Sequence, residues 1–222
     1  MTIGERYNVA VQQFKDEWPT LVEEARYTIG LCECYAAEYK EFWENCPDSF
    51  AHCHSGFTPE RHKEWQDWFD MGGKALLDYG CGGAAGIALV FPENRYIGVD
   101  IAERSLQMAA ASLAHRKNWE LHQTPVELSD FNADLLIAQQ VMIHFASQEM
   151  LDEFLANVNR SGVGELLLET RAVRDGVSFR PTDPNSACAV GWVYLRKHLP
   201  NYTMRKCQPA GTYRFSRWVR RT

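Results

Sequence analysis

The sequence predicts an α/β protein with a largely parallel sheet, preceded by a helical segment. From about residue 73 onward, short apolar runs of strand length alternate with stretches of helical periodicity, as in repeated βαβ units. Before that point, apolar side chains recur at helical spacing. The 222 residues, 45% of them hydrophobic, are enough to bury one core. We therefore expect an N-terminal helical lid over residues 1–72, on the substrate side, and a main domain over residues 73–222.

The longest helix predicted in the N-terminal segment ends near residue 45. Its apolar side chains recur at alternating three- and four-residue steps: Val22, Ala25, Ile29, Cys32, Ala36, Tyr39 and Trp43. Such a stripe must pack against another part of the protein. Further along, Thr58 and Pro59 provide an N-cap and a first-turn proline for a helix that extends to about Asp70.

The main domain contains seven predicted strands. They are Ala75–Tyr79, Tyr96–Asp100, Trp119–Gln123, Ala133–Ala138, Glu165–Thr170, Tyr202–Gln208 and Thr212–Val219. One helix between them presents Leu106, Ala109, Ala110, Leu113 and Ala114 on one face; another, capped by Ser147, buries Leu151, Phe154, Leu155 and Val158. A loop near Arg180 to Pro184 is followed by a helix to about Leu199, and the turn at residues 209–211 makes the last two strands a hairpin.

The strongest local signal is the run Leu-Leu-Asp-Tyr-Gly-Cys-Gly-Gly-Ala at residues 76–84, where an apolar strand leads into glycines and then a helix. Glycines allow a tight turn and close approach to a ligand. The next strand ends in Asp100, eighteen residues after Gly82, where a carboxylate can accept hydrogen bonds from ribose hydroxyls. Together the two signals predict a nucleoside-containing cofactor.

Two cofactors are compatible with these glycines. Residues 80–85 also satisfy the Gly-x-Gly-x-x-Gly/Ala pattern of dinucleotide binding, and Asp100 lies twenty residues after Gly80, so spacing alone leaves NAD open. The carboxylate of Asp78 favours S-adenosylmethionine. It would repel a pyrophosphate, whereas it can bind the ammonium of a methionine moiety.

Residues from about Lys74 to Arg171 resemble class I S-adenosylmethionine-dependent methyltransferases, in particular their small-molecule branch. The resemblance depends on the motifs at residues 76–82, 98–106 and 134–144. It implies a Rossmann-like, doubly wound, mostly parallel seven-stranded sheet in the order 3-2-1-4-5-7-6, with the last strand antiparallel. It also implies S-adenosyl-L-methionine as cofactor and S-adenosyl-L-homocysteine as product.

The resemblance assigns contacts to individual positions. The implied cofactor-binding residues are Asp78, Gly80, Cys81, Gly82, Asp100, Ile101, Thr124, Pro125, Val126, Gln139 and Gln140. Among them, Asp78 and the glycines would contact the methionine part, Asp100 the ribose and Ile101 the adenine face. The sequence departs from the family at Ala84, where a third glycine is usual, and at residues 124–126, where many members have an acid that reads the adenine amino group.

His144 is the candidate general base, because it follows the fourth strand at the open end of the sheet. A packing role in the adjacent loop is the alternative. The candidate substrate-side residues are Tyr39, Trp43, His52, His54, Thr170 and Arg171.

The cysteines and histidines of the N-terminal segment predict no metal site. Cys32 and Cys34 would point about 200° apart on a helix, and His52 and His54 alone do not complete a coordination shell. The seven cysteines have no repeated spacing, which is typical of reduced thiols.

The N-terminus has no apolar core of a secretory signal, and no apolar run reaches membrane-spanning length, so we expect a cytoplasmic protein without membrane contact. Net charge is −6, yet residues 184–222 contain eight basic and no acidic residues. Those basic residues either keep sheet edges from pairing or attract an anionic substrate or RNA.

The sequence thus predicts an S-adenosylmethionine-dependent methyltransferase that methylates O, N or C of a small molecule by in-line displacement. One alternative is an RNA or tRNA methyltransferase that uses the basic C-terminal hairpin. Another is a non-catalytic cofactor-binding scaffold. A monomer or homodimer is expected.

Overall fold

A computed structural model describes residues 40, 43–44, 65–70, 72–84, 87–171, 173, 176–179, 188–210 and 213–222. The strands are β1 Ala75–Tyr79, β2 Arg95–Asp100, β3 Trp119–Gln123, β4 Leu135–Ala138, β5 Glu165–Arg171, β6 Val177–Phe179, β7 Cys188–Val190, β8 Tyr202–Ala210 and β9 Tyr213–Arg220. The helices with defined bounds are α1 Ile87–Val90, α2 Glu103–Leu113, α3 Gln148–Arg160 and α4 Trp192–His198. Short 3₁₀ turns lie at Leu128–Asp130 and Met142–His144.

Seven of the strands form one sheet in the order β3-β2-β1-β4-β5-β9-β8. β1 lies between β2 and β4 and pairs with both in parallel, whereas β9 pairs with β5 in antiparallel orientation. The predicted mostly parallel α/β sheet is confirmed. Its strand numbers shift only because β6 and β7 form a separate two-stranded sheet. The C-terminal hairpin of β8 and β9 is also as predicted.

The region before α4 differs from the prediction. A helix was expected from the loop near residues 180–184 to about Leu199, but the chain is a strand at β7 and α4 begins only at Trp192. In β7, Cys188 and Val190 are buried and Ala189 between them is half-buried, a two-residue alternation too short to stand out in the sequence. Residues 180–187 lie outside the described part of the chain.

The two main helices pack on opposite faces of the sheet. α3 buries its four predicted residues, and the Ser147 side chain caps it by accepting a hydrogen bond from the Met150 amide at 3.4 Å. α2 buries Ala109 and Leu113 as expected, while Ala114 at its C-terminus is exposed. Each face of the sheet thus has its own apolar cluster, which holds the strand ends in place.

Part of the N-terminal segment packs on the α2 face. Residues 65–68 are helical, and the buried side chains of Trp65, Trp68 and Phe69 belong to the cluster beneath α2. The Trp65 ring contacts Phe215 edge to face at 5.1 Å. The boundary at residue 72 stays a prediction. None of the helices in the described ranges is long and apolar enough to cross a membrane.

Candidate active site

The glycine turn after β1 is held against β2. The amides of Gly80 and Cys81 both donate to the Val99 carbonyl, at 2.7 and 3.0 Å. Gly80 has a φ of +75°, and a Cβ on it would stand 2.3 Å from Cγ2 of Val141, in the loop after β4. Glycine is required there for both reasons. The turn after β1 and the loop after β4 are therefore in direct contact.

Asp78 is a buried carboxylate at the end of β1. Its side chain lines the site and is 4% exposed, and its Oδ2 accepts a hydrogen bond from the Tyr96 hydroxyl at 2.6 Å. Burial raises the pKa of Asp78 to about 7; the Tyr96 hydrogen bond acts in the opposite direction, and the nearby Asp100 charge adds to the increase. This carboxyl group therefore changes its charge near neutral pH.

Asp100 ends β2 and joins two backbone segments. Its Oδ2 accepts from the Gly82 amide and its Oδ1 from the Ala102 amide, both at 2.9 Å. Burial raises the pKa of Asp100, while these backbone hydrogen bonds oppose the increase. Each carboxylate oxygen has a second lone pair, so Asp100 can hold the glycine turn and still accept from a ligand.

A cavity of about 420 Å³ lies at the carboxyl ends of the parallel strands, a size typical of small-molecule sites. The structure brings all eleven predicted cofactor-binding residues together in its lining. They are Asp78, Gly80, Cys81, Gly82, Asp100, Ile101, Thr124, Pro125, Val126, Gln139 and Gln140. Parallel pairing of β1 with β2 and β4, and of β2 with β3, places the loops after these four strands side by side.

His144 and Trp43 form another part of the cavity wall. Their rings meet edge to face, with centroids 4.6 Å apart. Tyr39, His52 and His54 lie outside the described residues.

Thr170 and Arg171, predicted on the substrate side, are not among the residues that line the cavity. β5 extends past the end of β4, and these two residues pair with β9, where Thr170 is buried in the protein.

Several lining residues were not predicted: Lys40, Tyr79, Ile87, Ser105, Val141, Phe145, Met150, Glu153, Phe154 and Asn157. Asn157 holds the segment after β3, because its side chain donates to the Val126 carbonyl at 2.8 Å and accepts from the Leu128 amide at 2.9 Å. Met150, Phe154 and Asn157 are spaced four and three residues apart. That spacing places them on one helix face, and it could have been found in the sequence.

Two non-glycine residues, one at the end of the glycine turn and one in the cavity lining, have a left-handed backbone. Ala84, which stands where the family has its third glycine, has a φ of 55°, and Gln140 in the loop after β4 has a φ of 53°. Such conformations cost on the order of 1 kcal/mol and concentrate at functional sites. Gln140 also lines the cavity, so this strained position lies on the cavity wall.

The carboxylates and the apolar side chains that line the cavity fit S-adenosylmethionine. Asp78 offers a buried carboxylate beside the glycine turn for an ammonium group, and Asp100 offers one for ribose hydroxyls. Ile101, Pro125 and Val126 provide apolar surface for adenine. A pyrophosphate at the turn would face the Asp78 carboxylate, which disfavours NAD. Among the described residues, no three acidic, histidine or cysteine side chains form a group that could hold a metal ion.

The strand order, the glycine turn and the cavity at the carboxyl ends of β1, β2 and β4 define a Rossmann-like methyltransferase fold. Residues 77–162 match the model of a methyltransferase domain family. This segment is therefore a methyltransferase domain, and its fold is the one that class I S-adenosylmethionine-dependent methyltransferases have.

Solved structures share the fold over most of the chain. Magnesium protoporphyrin IX methyltransferase from Synechocystis PCC 6803, with bound S-adenosylmethionine, is 15% identical with a TM-score of 0.62, covering 84% of this chain and 97% of that one. The N-methyltransferase NodS from Bradyrhizobium japonicum WM9, in complex with S-adenosylhomocysteine, is 16% identical with a TM-score of 0.59, covering 82% and 97%.

Curated relatives match over shorter segments. A ribosomal protein L11 methyltransferase from Marinomonas sp. (strain MWYL1) is 36% identical over 81 residues, which are 34% of this chain and 27% of that protein. A tRNA (guanine-N(7)-)-methyltransferase from Cytophaga hutchinsonii is 39% identical over 57 residues, 22% of this chain and 26% of the relative. The match spans about a quarter of the length of these relatives.

Proposed function

We propose that the protein is an enzyme that transfers a methyl group from S-adenosylmethionine to O, N or C of a small molecule. The observation that carries the proposal is the pair of buried carboxylates, Asp78 and Asp100, on one cavity at the ends of adjacent parallel strands. Their positions suit two polar parts of the cofactor, its ammonium and its ribose hydroxyls. The apolar wall between the loops would exclude water from the reacting atoms.

When bound, the cofactor supplies a methyl group on a sulfonium for in-line transfer to a nucleophile. Asp78 would bind its ammonium and Asp100 its ribose hydroxyls, which fixes the direction of the sulfonium carbon. Trp43 and His144, on the cavity wall, would position the acceptor, and the aromatic face of Trp43 favours a cation nearby. His144 would take the proton of an acceptor that must lose one.

The basic C-terminal hairpin supports the small-molecule proposal over the RNA alternative. Four of its cationic side chains lie over aromatic rings of the protein itself, at 4.4 to 5.8 Å from the ring centroids: Lys206 over Trp68, Arg214 over Trp192, Arg217 over Phe69 and Arg220 over Tyr202. Arg217 also pairs with Glu165. In these contacts the cationic side chains pack against the protein's own aromatic rings at the edge of the sheet. Salt-sensitive RNA binding at low ionic strength would favour the RNA alternative instead.

The direct test of the proposal is calorimetric binding of S-adenosylmethionine and S-adenosylhomocysteine. Asp100→Asn should weaken both by about ten- to a hundred-fold, because a charged acceptor for the ribose is lost. The matched control is Asp67→Asn, which neutralises an exposed carboxylate that does not line the cavity and should leave affinity unchanged. Tight NAD binding with no binding of either ligand would overturn the proposal.

Turnover separates the enzyme from the scaffold alternative. Incubation of the protein with methyl-labelled cofactor and a metabolite library should transfer label to a small acceptor. Strong cofactor binding with no transfer to any acceptor class would favour the scaffold.

A further inference from the structure

A tyrosine lies directly behind the cavity, on the face of β2 that packs against α2. Tyr96 is fully buried in the cluster beneath α2, yet its ring reaches along the strand to the end of β1. The ring has room because residue 98 is glycine: a Cβ on Gly98 would stand 3.0 Å from Cε1 of Tyr96. The absence of a side chain at residue 98 thus creates the slot for the tyrosine ring.

The Tyr96 hydroxyl contacts the carboxylate that faces the cavity. It donates to Oδ2 of Asp78 at 2.6 Å, a short distance typical of a hydroxyl bound to a charged acceptor. Oδ1 of Asp78 has no hydrogen-bond donor among the described residues. With one oxygen held from behind, the rotation of the carboxylate is fixed, and the other oxygen is the one available to a ligand.

The tyrosine ring is in turn held from its outer side by Arg116. The guanidinium carbon lies 5.6 Å from the ring centroid, and the guanidinium donates to the carbonyls of Ala88, Phe91 and Asn94. These three hydrogen bonds attach Arg116 to α1 and to the loop that follows α1. Arg116, Tyr96 and Asp78 therefore form a row that leads from the protein surface to the cavity.

We propose that Tyr96 is a positioning residue for the cofactor, which holds one oxygen of the Asp78 carboxylate and turns its Oδ1 toward the ammonium of the methionine part. This inference rests on the proposed function, since the ammonium belongs to S-adenosylmethionine or its product. Tyr96 itself would not touch the ligand. It would act only through Asp78, and its effect would appear in the pH dependence of binding.

The charged groups around Asp78 set the direction of that effect. Burial and the Asp100 charge raise the pKa of Asp78, and the Tyr96 hydrogen bond is the contact that lowers it. Cys81 lies beside Tyr96, while Arg116 lies beyond the ring. The other ionisable groups that line the cavity are Lys40, Tyr79, His144 and Glu153. Removing the hydroxyl should raise the pKa of Asp78 further, because burial is then no longer opposed by a donor.

The test compares the wild-type protein with Tyr96→Phe by calorimetric titration with S-adenosylhomocysteine from pH 5.5 to 8.5. Wild-type affinity should increase as pH rises through about 7, where Asp78 ionises. In the variant this midpoint should move upward by about one pH unit, so that affinity is about five-fold weaker at pH 7 and recovers toward pH 8.5.

Tyr202→Phe is the matched control. Tyr202 is also almost completely buried, and its hydroxyl donates to the Val163 carbonyl at 2.8 Å, away from the cavity lining. Its loss should reduce stability without moving the binding midpoint. An unchanged midpoint in Tyr96→Phe overturns the inference while cofactor binding itself stands; a wild-type protein that binds no S-adenosylhomocysteine at any pH overturns the proposed function and this inference together.

A second measurement needs no variant, should Tyr96→Phe fail to fold. In wild-type protein labelled with ¹³C, the Cζ signal of Tyr96 should follow the Asp78 carboxyl signal with the same midpoint, because the hydroxyl bonds to that group. A Tyr96 signal that stays constant while Asp78 titrates would overturn the inference.

Discussion

Gly80 and Gly73 adopt nearly the same backbone conformation, with φ of +75° and +70°, but their surroundings differ. A Cβ on Gly73 would meet nothing within 4 Å, whereas a Cβ on Gly80 would overlap the Val141 side chain. Substituting each glycine by alanine therefore distinguishes two costs in unfolding free energy: a left-handed backbone alone at residue 73, and the same backbone with steric overlap at residue 80. Only Gly80 lies at the cavity.

Gly73→Ala and Gly80→Ala should therefore have unequal effects. The first should cost about 1 kcal/mol of unfolding free energy, since an alanine is strained at positive φ. The second should cost about 1–3 kcal/mol more, because the Val141 loop must move, and it should also weaken cofactor binding. Urea denaturation and calorimetry measure the two quantities. Equal stability losses would show that the contact with Val141 is unimportant.

Single residues of the site were predictable to different degrees. The eleven predicted cofactor-binding residues all line one cavity because the glycine turn and the strand-end acids follow a fixed local pattern. The contact of Tyr96 with Asp78 could not, because it depends on the parallel register in which Asp78 lies opposite Gly98. Sequence periodicity indicates which residues face a sheet surface but not which residues of two strands lie side by side.

At the scale of elements, α2 has an unusual start. Its N-cap residue, Ala102, has no side chain that can accept a hydrogen bond. The Glu44 carboxylate takes that role from a distant part of the chain, with Oε1 2.7 Å from the Glu103 amide and Oε2 3.3 Å from the Arg104 amide. A negative charge at a helix N-terminus is also favourable to the helix dipole. Glu44 thus joins the N-terminal segment to the helix that follows Asp100.

Glu44→Ala should reduce the unfolding free energy by about 0.5–2 kcal/mol, the usual cost of losing an N-cap acceptor. Glu103→Gln removes another carboxylate at the same helix end but leaves both amide donors and Glu44 in place, so it should cost less. Chemical denaturation of the two variants and the wild type makes the comparison. A loss from Glu103→Gln as large as that from Glu44→Ala would contradict the capping role.

Some elements were predicted to the residue. β1 and β3 have the bounds expected from their sequences, and Ser147 caps α3 as expected. β6 and β7 were missed because each has only three residues, too few for a two-residue alternation to stand out in the sequence. The cap of α2 was missed for a different reason, since a cap supplied from 59 residues away leaves no local signal.

At the scale of the whole molecule, the sheet carries buried carboxylates that the fold must accommodate without a bound ligand. Burial raises the pKa of Asp78 from 3.8 to about 7. Below pH 3.8, Asp78 is protonated in both the folded and the unfolded state, and its contribution to the free energy of unfolding is complete. As pH rises, the unfolded chain loses the proton first, so this stability is lost as pH rises through about 7.

Asp78→Asn should remove this dependence, because the amide does not titrate and can still accept from Tyr96. The unfolding free energy of the wild type relative to the variant should decrease by up to about 4 kcal/mol between pH 4 and pH 8. Denaturation of both proteins without cofactor across this range measures the difference, in which the groups that do not interact with Asp78 cancel. A constant difference would contradict the raised pKa of Asp78.

The contact between Gly80 and Val141 has a consequence for how this site could be transplanted. The motif at residues 76–84 is short and continuous, which makes it look like a portable cassette. Its turn, however, is shaped to leave room for a side chain from the loop after β4. A graft of the motif into another sheet would leave a gap where Val141 packs. The smallest transferable unit is therefore two neighbouring strands with both of their loops.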